Sequence, residues 1–379
     1  MYKIPLSLSQ YQQKSRAWYA TLPAALTLIT LLTVPLLAFS QSAESTETES
    51  TETEPTENGE RGQFLGAQET QYPDWFKTSF LELEEDVAEA AEAGKRLMIL
   101  FHQDNCPYCN AFVEKNLAQK DIEDTLKDKF DVIEINMWGD REVASVQGNI
   151  YTEKTFAQAL NVQFTPTVLF LTESGELSLR INGYYDPDRF RLALDFVSGQ
   201  MEKTTTFDEF VRQQESAPSA KSLVDRPYFT GPVTDLTQRP GKGQKPLLLF
   251  FEQGSCRNCE TLHDTILSKK SSRELLAEFD VYQIDIWGRE KFTTAEGQTV
   301  TGRELSSELG VSYAPTLILY SAEGEEVIRS EAWFKSFHTQ SILDYVASEA
   351  WHEQPSFQRY LSTRAEHIQE QGTDVNIFD

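Results

Sequence analysis

Two Cys-x-x-Cys pairs, each placed directly after an apolar run, constrain this chain more than any other feature. Cys106 and Cys109 follow the run at 97–101, and Cys256 and Cys259 follow the run at 247–250. These four residues are all the cysteines of the 379-residue sequence. Paired cysteines at this spacing, in a chain with no others, favour thiol–disulfide chemistry. We therefore interpret the chain as two copies of one redox module.

The repeat extends well beyond the cysteines, at a nearly constant offset of 149–150 residues. Further equivalent segments are Phe130-Asp131-Val132 with Phe279-Asp280-Val281, Trp138-Gly139 with Trp287-Gly288, and Phe164-Thr165-Pro166-Thr167 with Tyr313-Ala314-Pro315-Thr316. We place the first module at 71–217 and the second at 218–379, joined near Ser216–Lys221. Alternating short apolar runs and helix-forming segments predict an α/β fold for each module.

The first pair is expected where a strand ends and a helix begins. Residues 97–101 are a continuous apolar run, typical of a buried strand, and 110–117 have a helical pattern. A helix N-terminus lowers the pKa of a cysteine, so Cys106 is the predicted nucleophile and Cys109 the resolving thiol. Pro107 suits the first helical turn. Pro107 and Tyr108, which separate the cysteines, are predicted to tune the site. The segment 139–152 is predicted to be a polar loop.

The second pair encloses a different dipeptide, Arg257-Asn258. Arg257 is a permanent cation beside two thiols, which favours the thiolate, so we predict a tuning role for it. The absence of proline predicts a looser helix start. His263 either tunes this site or is a packing or surface residue. We predict that the pair is redox-active and auxiliary to the first; a purely structural disulfide is the alternative.

The first half resembles the thioredoxin superfamily, and more closely the periplasmic SoxW-like thioredoxins. The segments that carry the resemblance are Pro73-Asp74-Trp75-Phe76, Cys106-Pro107-Tyr108-Cys109, Asn136-Met137-Trp138-Gly139, Tyr151-Thr152-Glu153-Lys154, Phe164-Thr165-Pro166-Thr167, Gly183-Tyr184 and Phe207-Asp208-Glu209-Phe210. The resemblance implies tandem thioredoxin-like folds, each a central mixed sheet flanked by helices, and dithiol–disulfide exchange with no cofactor. It also implies electrons from a DsbD-like membrane transporter.

The same resemblance implies a cis-proline step that faces each cysteine pair and binds an extended substrate peptide. The residues concerned are Thr165 and Pro166 in the first module and Ala314 and Pro315 in the second. Two departures stand out. Typical thioredoxins have Trp where this chain has Asn105, and a buried Asp where it has Leu100. Glu134 and His102 are candidate substitutes in proton handling, with a solvated or packing role as the alternative.

The N-terminal region predicts export. Basic residues precede an apolar run at 17–39, and small residues stand before a possible cut at Gln41. This is typical of a secretory signal peptide, so 1–40 is a signal peptide or, if uncleaved, an anchor. Residues 41–70 are predicted to be a disordered, acidic Ser/Thr/Glu linker. The expected location is the periplasm, with attachment to the inner membrane only if the segment is retained.

Charge and motif content narrow the function. The formal net charge of −25 argues against nucleic acid as a partner. One Cys-x-x-Cys pair supplies only two sulfur ligands, and no Cys or His pair at zinc-site spacing completes a shell. This argues against a metal site, although metal binding through Cys-x-x-Cys is an alternative. The leading hypothesis is an exported thiol–disulfide oxidoreductase that reduces or reshuffles disulfides of periplasmic client proteins. The other is a peptide-binding scaffold that uses the thioredoxin grooves.

Overall fold

The computed structural model describes residues 61–214, 223–332 and 334–377. The predicted signal segment, the acidic linker up to residue 60 and the predicted connection near 216–221 lie outside the described residues. Within the described ranges, no helix is both long enough and apolar enough to cross a membrane.

The first module is built on a four-stranded mixed sheet in the order β3-β2-β6-β7. β2 (Arg96–His102) is buried along its whole length, runs parallel to β3 (Phe130–Asn136) and pairs antiparallel with β6 (Thr167–Leu171). β7 (Leu177–Asn182) is the antiparallel edge strand. A central strand covered on both faces requires a continuous apolar run, which is the pattern at 97–101.

Helices cover both faces of this sheet. They are α1 Leu83–Glu92, α2 Pro107–Ala111, α3 Lys120–Lys129, α4 Glu153–Ala159, α5 Pro187–Ser198 and α6 Phe207–Gln214. The helical segment predicted at 110–117 is present, but it changes from α2 to a π-helix at Phe112–Leu117. Thr152 caps α4, accepting a hydrogen bond from the backbone N–H of Thr155. This cap fixes the residue at which the short helix begins.

The predicted polar loop at 139–152 is wrong. It contains an antiparallel hairpin of β4 (Glu142–Ala144) and β5 (Ile150–Thr152). Val143 is fully buried in the apolar core of the first module and anchors the hairpin. One buried valine in a polar stretch gives no alternating pattern, so the sequence signal for these three-residue strands is too weak to detect.

The second module repeats the sheet in the order β13-β12-β8-β9. β8 (Leu247–Glu252) is buried throughout, parallel to β9 (Asp280–Asp285) and antiparallel to β12 (Thr316–Tyr320). β13 (Glu326–Ser330) forms the edge. The equal strand order in both halves confirms the predicted tandem architecture.

The surrounding elements also repeat. They are α7 Arg257–Thr261, α8 Lys270–Leu276, the hairpin β10 Lys291–Thr293 and β11 Thr299–Thr301, α9 Gly302–Glu308, α10 Ser336–Ala347 and α11 Phe357–Glu370. A single 3-10 turn, Leu236–Gln238, replaces the first helix of the repeat, because Pro and Gly residues follow it. α11 is the last helix of the second module, as α6 is of the first.

Both ends of the described chain meet in a short parallel pairing. β1 (Phe64–Leu65) pairs with β14 (Val375–Asn376), and the N–H of Gly62 donates to the carbonyl of Gln369 at 2.8 Å. The prediction that the linker stays disordered to residue 70 is therefore wrong for this stretch. Backbone hydrogen bonds to a distant strand order these residues, and linker composition does not report such a partner.

The two modules exchange aromatic side chains. Phe164 of the first module lies in the apolar core of the second, and Tyr313 of the second lies in that of the first. Phe164 stacks on Phe334 with ring centroids 5.1 Å apart, and Tyr313 stacks on Tyr185 at 5.6 Å. The two contacts are equivalent under the repeat, so each module contributes the same pair of positions.

The ends of the edge strands β7 and β13 also approach each other closely beside these aromatic contacts. The side-chain amide of Asn182 donates to Glu331 at 2.8 Å, and these positions are also equivalent under the repeat. A Cβ atom on Gly183 would lie 2.7 Å from the Cβ of Ala332, and its φ is +88°. Glycine is therefore required at 183 for both the contact and the backbone conformation.

We expect Phe357→Ala to lower the free energy of unfolding by about 3–5 kcal/mol, since it empties a fully buried aromatic site. Its ring lies 5.4 Å from Phe164 of the other module and 5.3 Å from Tyr345 of its own. Urea denaturation followed by fluorescence and circular dichroism measures the change. The matched control is Phe80→Ala at a side chain that is 94% exposed, which should change the value by less than about 0.5 kcal/mol. Equal effects of the two substitutions would contradict this account of the interface.

Candidate active site

The first cysteine pair closes the loop between β2 and α2. Cys106 is the N-cap of α2, with extended backbone angles, and it is disulfide-bonded to Cys109. The backbone N–H of Cys109 donates to Sγ of Cys106 at 3.1 Å. Pro107 occupies the first helical position. The sulfur of Cys106 thus receives a hydrogen bond and the positive end of the helix, both of which stabilise a thiolate.

The cis-proline loop faces this sulfur. The Thr165-Pro166 peptide bond is cis. Sγ of Cys106 lies 3.3 Å from Oγ1 of Thr165 and 3.7 Å from its carbonyl oxygen. The structure therefore brings together the cysteine pair and the predicted peptide-binding step.

The second module reproduces this arrangement. Cys256 caps α7, is disulfide-bonded to Cys259, and accepts a hydrogen bond from the N–H of Cys259 at 3.0 Å. Its Sγ lies 3.6 Å from the carbonyl oxygen of Ala314, and the Ala314-Pro315 bond is cis. A looser helix start is not observed. The side chain of Arg257 is exposed, so water screens its charge from the thiols.

Tyr108 points out of the first module into the second. Its hydroxyl accepts a hydrogen bond from the backbone N–H of Lys335 at 3.0 Å. Its ring packs edge-on against Phe334 at 5.3 Å and His338 at 5.1 Å. Burial raises the pKa of the Tyr108 phenol, so it stays neutral. The equivalent residue, Asn258, instead donates to the hydroxyl of Tyr313 at 2.9 Å.

The second module covers the sulfur of Cys106. Cys106 is only 2% exposed. A small cavity of about 20 Å³ beside it is lined on the far side by Phe334, His338 and Gln358. The side-chain amide of Gln358 donates to the carbonyl of Gln163 at 3.0 Å. The face at which a client disulfide would approach is therefore occupied by the chain itself.

Sequence reasoning missed this cover, because its members lie more than 150 residues from Cys106. The one available signal was an aromatic residue before each proline step, Phe164 and Tyr313, next to short polar loops. Isolated aromatic residues at a loop are equally compatible with a module's own core. The exchange between modules therefore becomes visible only in the assembled fold.

His102 and Glu134 form a pair at the end of β2 and β3. Nε2 of His102 lies 2.5 Å from Oε2 of Glu134, and Arg141 contacts the other carboxylate oxygen at 3.1 Å. The hydrogen bond with His102 holds the pKa of Glu134 below its ordinary value. Neither residue lines the cavity beside Cys106. The structure therefore places this pair outside the cavity beside Cys106.

A different His–Glu pair lies under the second disulfide. Glu252 is the last residue of β8, at the position equivalent to His102, and its Oε1 lies 2.7 Å from Nε2 of His263. Both side chains are buried, and they line a cavity of about 40 Å³ together with Cys256 and Cys259. Nδ1 of His263 also contacts the hydroxyl of Tyr228. His263 is therefore a packed, paired residue, and Glu252 was not anticipated because it ends an apolar run.

Across the described ranges, no three His, Cys, Asp or Glu side chains are arranged to hold a metal ion.

We expect Phe334→Ala to raise the alkylation rate of reduced Cys106 by about tenfold or more. The open population rises about tenfold for each ~1.4 kcal/mol by which the substitution weakens docking of the modules. The measurement uses iodoacetamide on the full chain with Cys256→Ser and Cys259→Ser. Phe80→Ala, which removes a ring from the exposed surface, is the control and should leave the rate unchanged. A Phe334→Ala rate equal to that of the control would show that the second module does not limit access.

Both modules match one protein family. The Thioredoxin-like domain family matches the sequence twice, at 83–198 and 234–347. Similar solved structures include a thioredoxin-fold protein from Helicobacter pylori, 22% identical over 36% of this chain and 91% of that one, with a TM-score of 0.28. A thioredoxin from Thermus thermophilus is 25% identical over 30% of this chain and 81% of that one, at a TM-score of 0.24.

A third similar structure is the C-terminal domain of Neisseria meningitidis DsbD in the reduced form, 16% identical over 30% of this chain and 91% of that one, at a TM-score of 0.24. A search of curated proteins gave no significant match. The two family matches together span more than half of the chain and include both cysteine pairs and both cis-proline steps. The chain therefore belongs to the Thioredoxin-like domain family and carries two such domains in tandem.

Proposed function

We propose that this protein is an exported thiol–disulfide oxidoreductase that reduces or reshuffles disulfides of client proteins in the periplasm. One observation carries the proposal. Cys106 is a helix N-cap, it is bonded to Cys109, and its sulfur faces Thr165 of the cis-proline step. Nucleophile, resolving thiol and peptide-binding edge thus meet at one point.

In the reducing direction, the thiolate of Cys106 attacks one sulfur of a client disulfide. The client S–S bond breaks, a mixed disulfide forms, and the other client sulfur leaves as a thiolate that takes a proton. The thiolate of Cys109 then attacks Sγ of Cys106 and releases the second client sulfur. The client gains two electrons and two protons, and the protein ends with the Cys106–Cys109 disulfide.

We propose the direction of disulfide exchange, the cellular location of the protein and its electron donor from the sequence alone. The SoxW-like motifs of the first half favour a reductase, for which a DsbD-like membrane protein would restore the dithiol by the same exchange. The apolar segment within 1–40 favours export. The acidic surface implied by a net charge of −25 suits a soluble partner-seeking protein better than one that binds nucleic acid.

The second pair serves as an auxiliary redox site in this proposal. It has the same helix cap, hydrogen bond and cis-proline contact as the first pair. The distance from the backbone nitrogen to the sulfur is 3.0 Å in the second site and 3.1 Å in the first. The distance from the sulfur to the carbonyl oxygen of the residue before the proline is 3.6 Å in the second site and 3.7 Å in the first. A disulfide that only braced the fold would not need the cis-proline loop beside it.

The alternative is a peptide-binding scaffold that needs no cysteine chemistry. The stacking of Phe164 on Phe334 and of Tyr313 on Tyr185 fills both cis-proline regions with the chain itself. A scaffold of this kind would have to open before it binds. Replacing all four cysteines by serine separates the two functions, since a scaffold keeps its client binding and an oxidoreductase loses its exchange activity.

Insulin reduction in the presence of dithiothreitol tests the proposed function. We expect Cys106→Ser to lower the rate about tenfold or more, because it removes the nucleophile of the main site. Cys256→Ser should have the smaller effect. Circular dichroism of each variant confirms that it is folded. A wild-type protein with no insulin reduction above dithiothreitol alone would rule out the reductase.

Cys109→Ser should trap the mixed disulfide, since the resolving thiol is absent while Cys106 still attacks. A covalent adduct with a disulfide-bearing client should accumulate on non-reducing gels and disappear on addition of thiol. Cys109→Ser combined with Cys106→Ser is the control and should give no adduct at the first site. Adducts of equal yield in both variants would exclude Cys106 as the attacking residue.

A further inference from the structure

One histidine of the second module belongs spatially to the redox site of the first. His338 lies on α10, and its side chain lines the cavity beside Cys106 together with Thr165 and Gln358. Its ring packs edge-on against Tyr108 at 5.1 Å. Its Nδ1 is buried and has no hydrogen-bond partner among the described residues. A buried polar atom without a partner is costly, so its position calls for an explanation.

We propose that His338 is the proton acceptor of the Cys106 thiol, supplied by one module to the active site of the other. The proposal rests on the proposed function only in requiring that the Cys106–Cys109 disulfide be reduced at some stage. It adds a residue to the site that no sequence motif indicates.

The proton balance is explicit. Reduction of the disulfide adds two electrons and two protons, one on each sulfur. The S–H of Cys106 then passes its proton to Nδ1 of His338, leaving a thiolate beside an imidazolium. The cavity, about 20 Å³, is wide enough for one water molecule to carry that proton. The disulfide has no thiol proton to give, so this transfer takes place only in the reduced protein.

Burial of His338 favours its neutral form in the oxidised protein. In the disulfide form, burial lowers the pKa of His338 to about 4. A thiolate at Cys106 favours the imidazolium, and the imidazolium favours the thiolate by the same free energy, since the two titrations are coupled. Reduction should therefore raise the pKa of His338 and lower that of Cys106.

The surroundings leave the thiolate as the anion available to His338. From the first module it is faced by the neutral phenol of Tyr108 and the amide of Gln103, and from α11 by the amide of Gln358. The charged groups on the neighbouring elements are Lys335 beside the start of α10, Asp104 after Gln103, Arg359 over the ring of Trp138 at 5.4 Å, and Arg364 paired with Asp344 at 2.7 Å. The cause of the lowered pKa of His338 is burial, and none of these charged groups adds to it.

The first module has no histidine at the position equivalent to His338. The position equivalent to His338 in α5 is Arg189, a permanent cation that cannot accept a proton. The cavity beside Cys256 is instead lined by the module's own Glu252 and His263. Only the first site receives a titratable side chain from the other module through this position.

The first test is the pH profile of Cys106 alkylation in the reduced full chain carrying Cys256→Ser and Cys259→Ser. We expect His338→Phe to lower the rate between pH 5 and 6 by about tenfold and to move the midpoint up by about one pH unit. His367→Phe is the control, at a histidine whose side chain is 70% exposed on α11, and should keep the original midpoint. A packing role alone would scale the rate equally at every pH.

The second test follows the imidazole of His338 directly. In histidine-ring NMR spectra, the resonance of His338 should titrate near pH 4 in the oxidised protein and at clearly higher pH in the reduced protein. Assignment comes from His338→Gln, which also replaces His338→Phe if that variant does not fold. In Cys106→Ser, which has no thiolate at this position, the pKa of His338 should stay low under reducing conditions.

The outcomes are separable. Identical titration of His338 in both redox states, or an unchanged midpoint in the His338 variants, overturns the inference even if insulin is reduced. Failure of insulin reduction with the coupled titration intact overturns the proposed function and leaves the role of His338 standing, because neither titration uses a client.

Discussion

Packing of the two modules against each other depends on the reciprocal burial of two aromatic rings. Phe164 and Tyr313 each precede a cis-proline, and each inserts into the core of the other module. Stacked aromatic pairs add about 0.5–1.5 kcal/mol each beyond the burial of their area. The residues that hold the modules together are thus next to the residues expected to hold a client. Docking of the modules and binding of a client therefore compete for the same loops.

The two modules share the same backbone arrangement around the cysteine pair but differ in the side chains near it. The last residue of the central strand is His102 in one module and Glu252 in the other. His102 pairs with a glutamate and Glu252 with a histidine, each on a different element. Between the cysteines, Tyr108 reaches across to the second module, whereas Asn258 contacts its own. Equal backbones with unequal side chains give two disulfides with different neighbours. This difference supports the unequal redox roles proposed for the two pairs.

The sequence predicts the frame well and the contacts between modules poorly. Continuous apolar runs such as 97–101 identify central strands because both faces are buried, and the repeat offset transfers each assignment to the second half. The hairpin at 142–152 and the pairing of Phe64–Leu65 with Val375–Asn376 depend on single buried residues or distant backbone partners. The same holds for His338, whose cavity exists only once both modules have folded and docked. Periodicity reports which residues are buried, and it does not report which module buries them.

In the proposed role, His338 belongs both to the surface that covers Cys106 and to the acid–base chemistry of its thiol. In the closed form, a thiolate at Cys106 is stabilised by the helix start, by the N–H of Cys109 and by the imidazolium across the cavity. A client that enters along Thr165 must displace Phe334 and His338, since both line that face. It therefore removes the cation at the moment it meets the thiolate, and the desolvated nucleophile loses one of its stabilising partners. The thiolate of Cys106 is most stable in the closed form and most reactive in the open form. Exchange would therefore be restricted to partners that bind well enough to separate the two modules at this face.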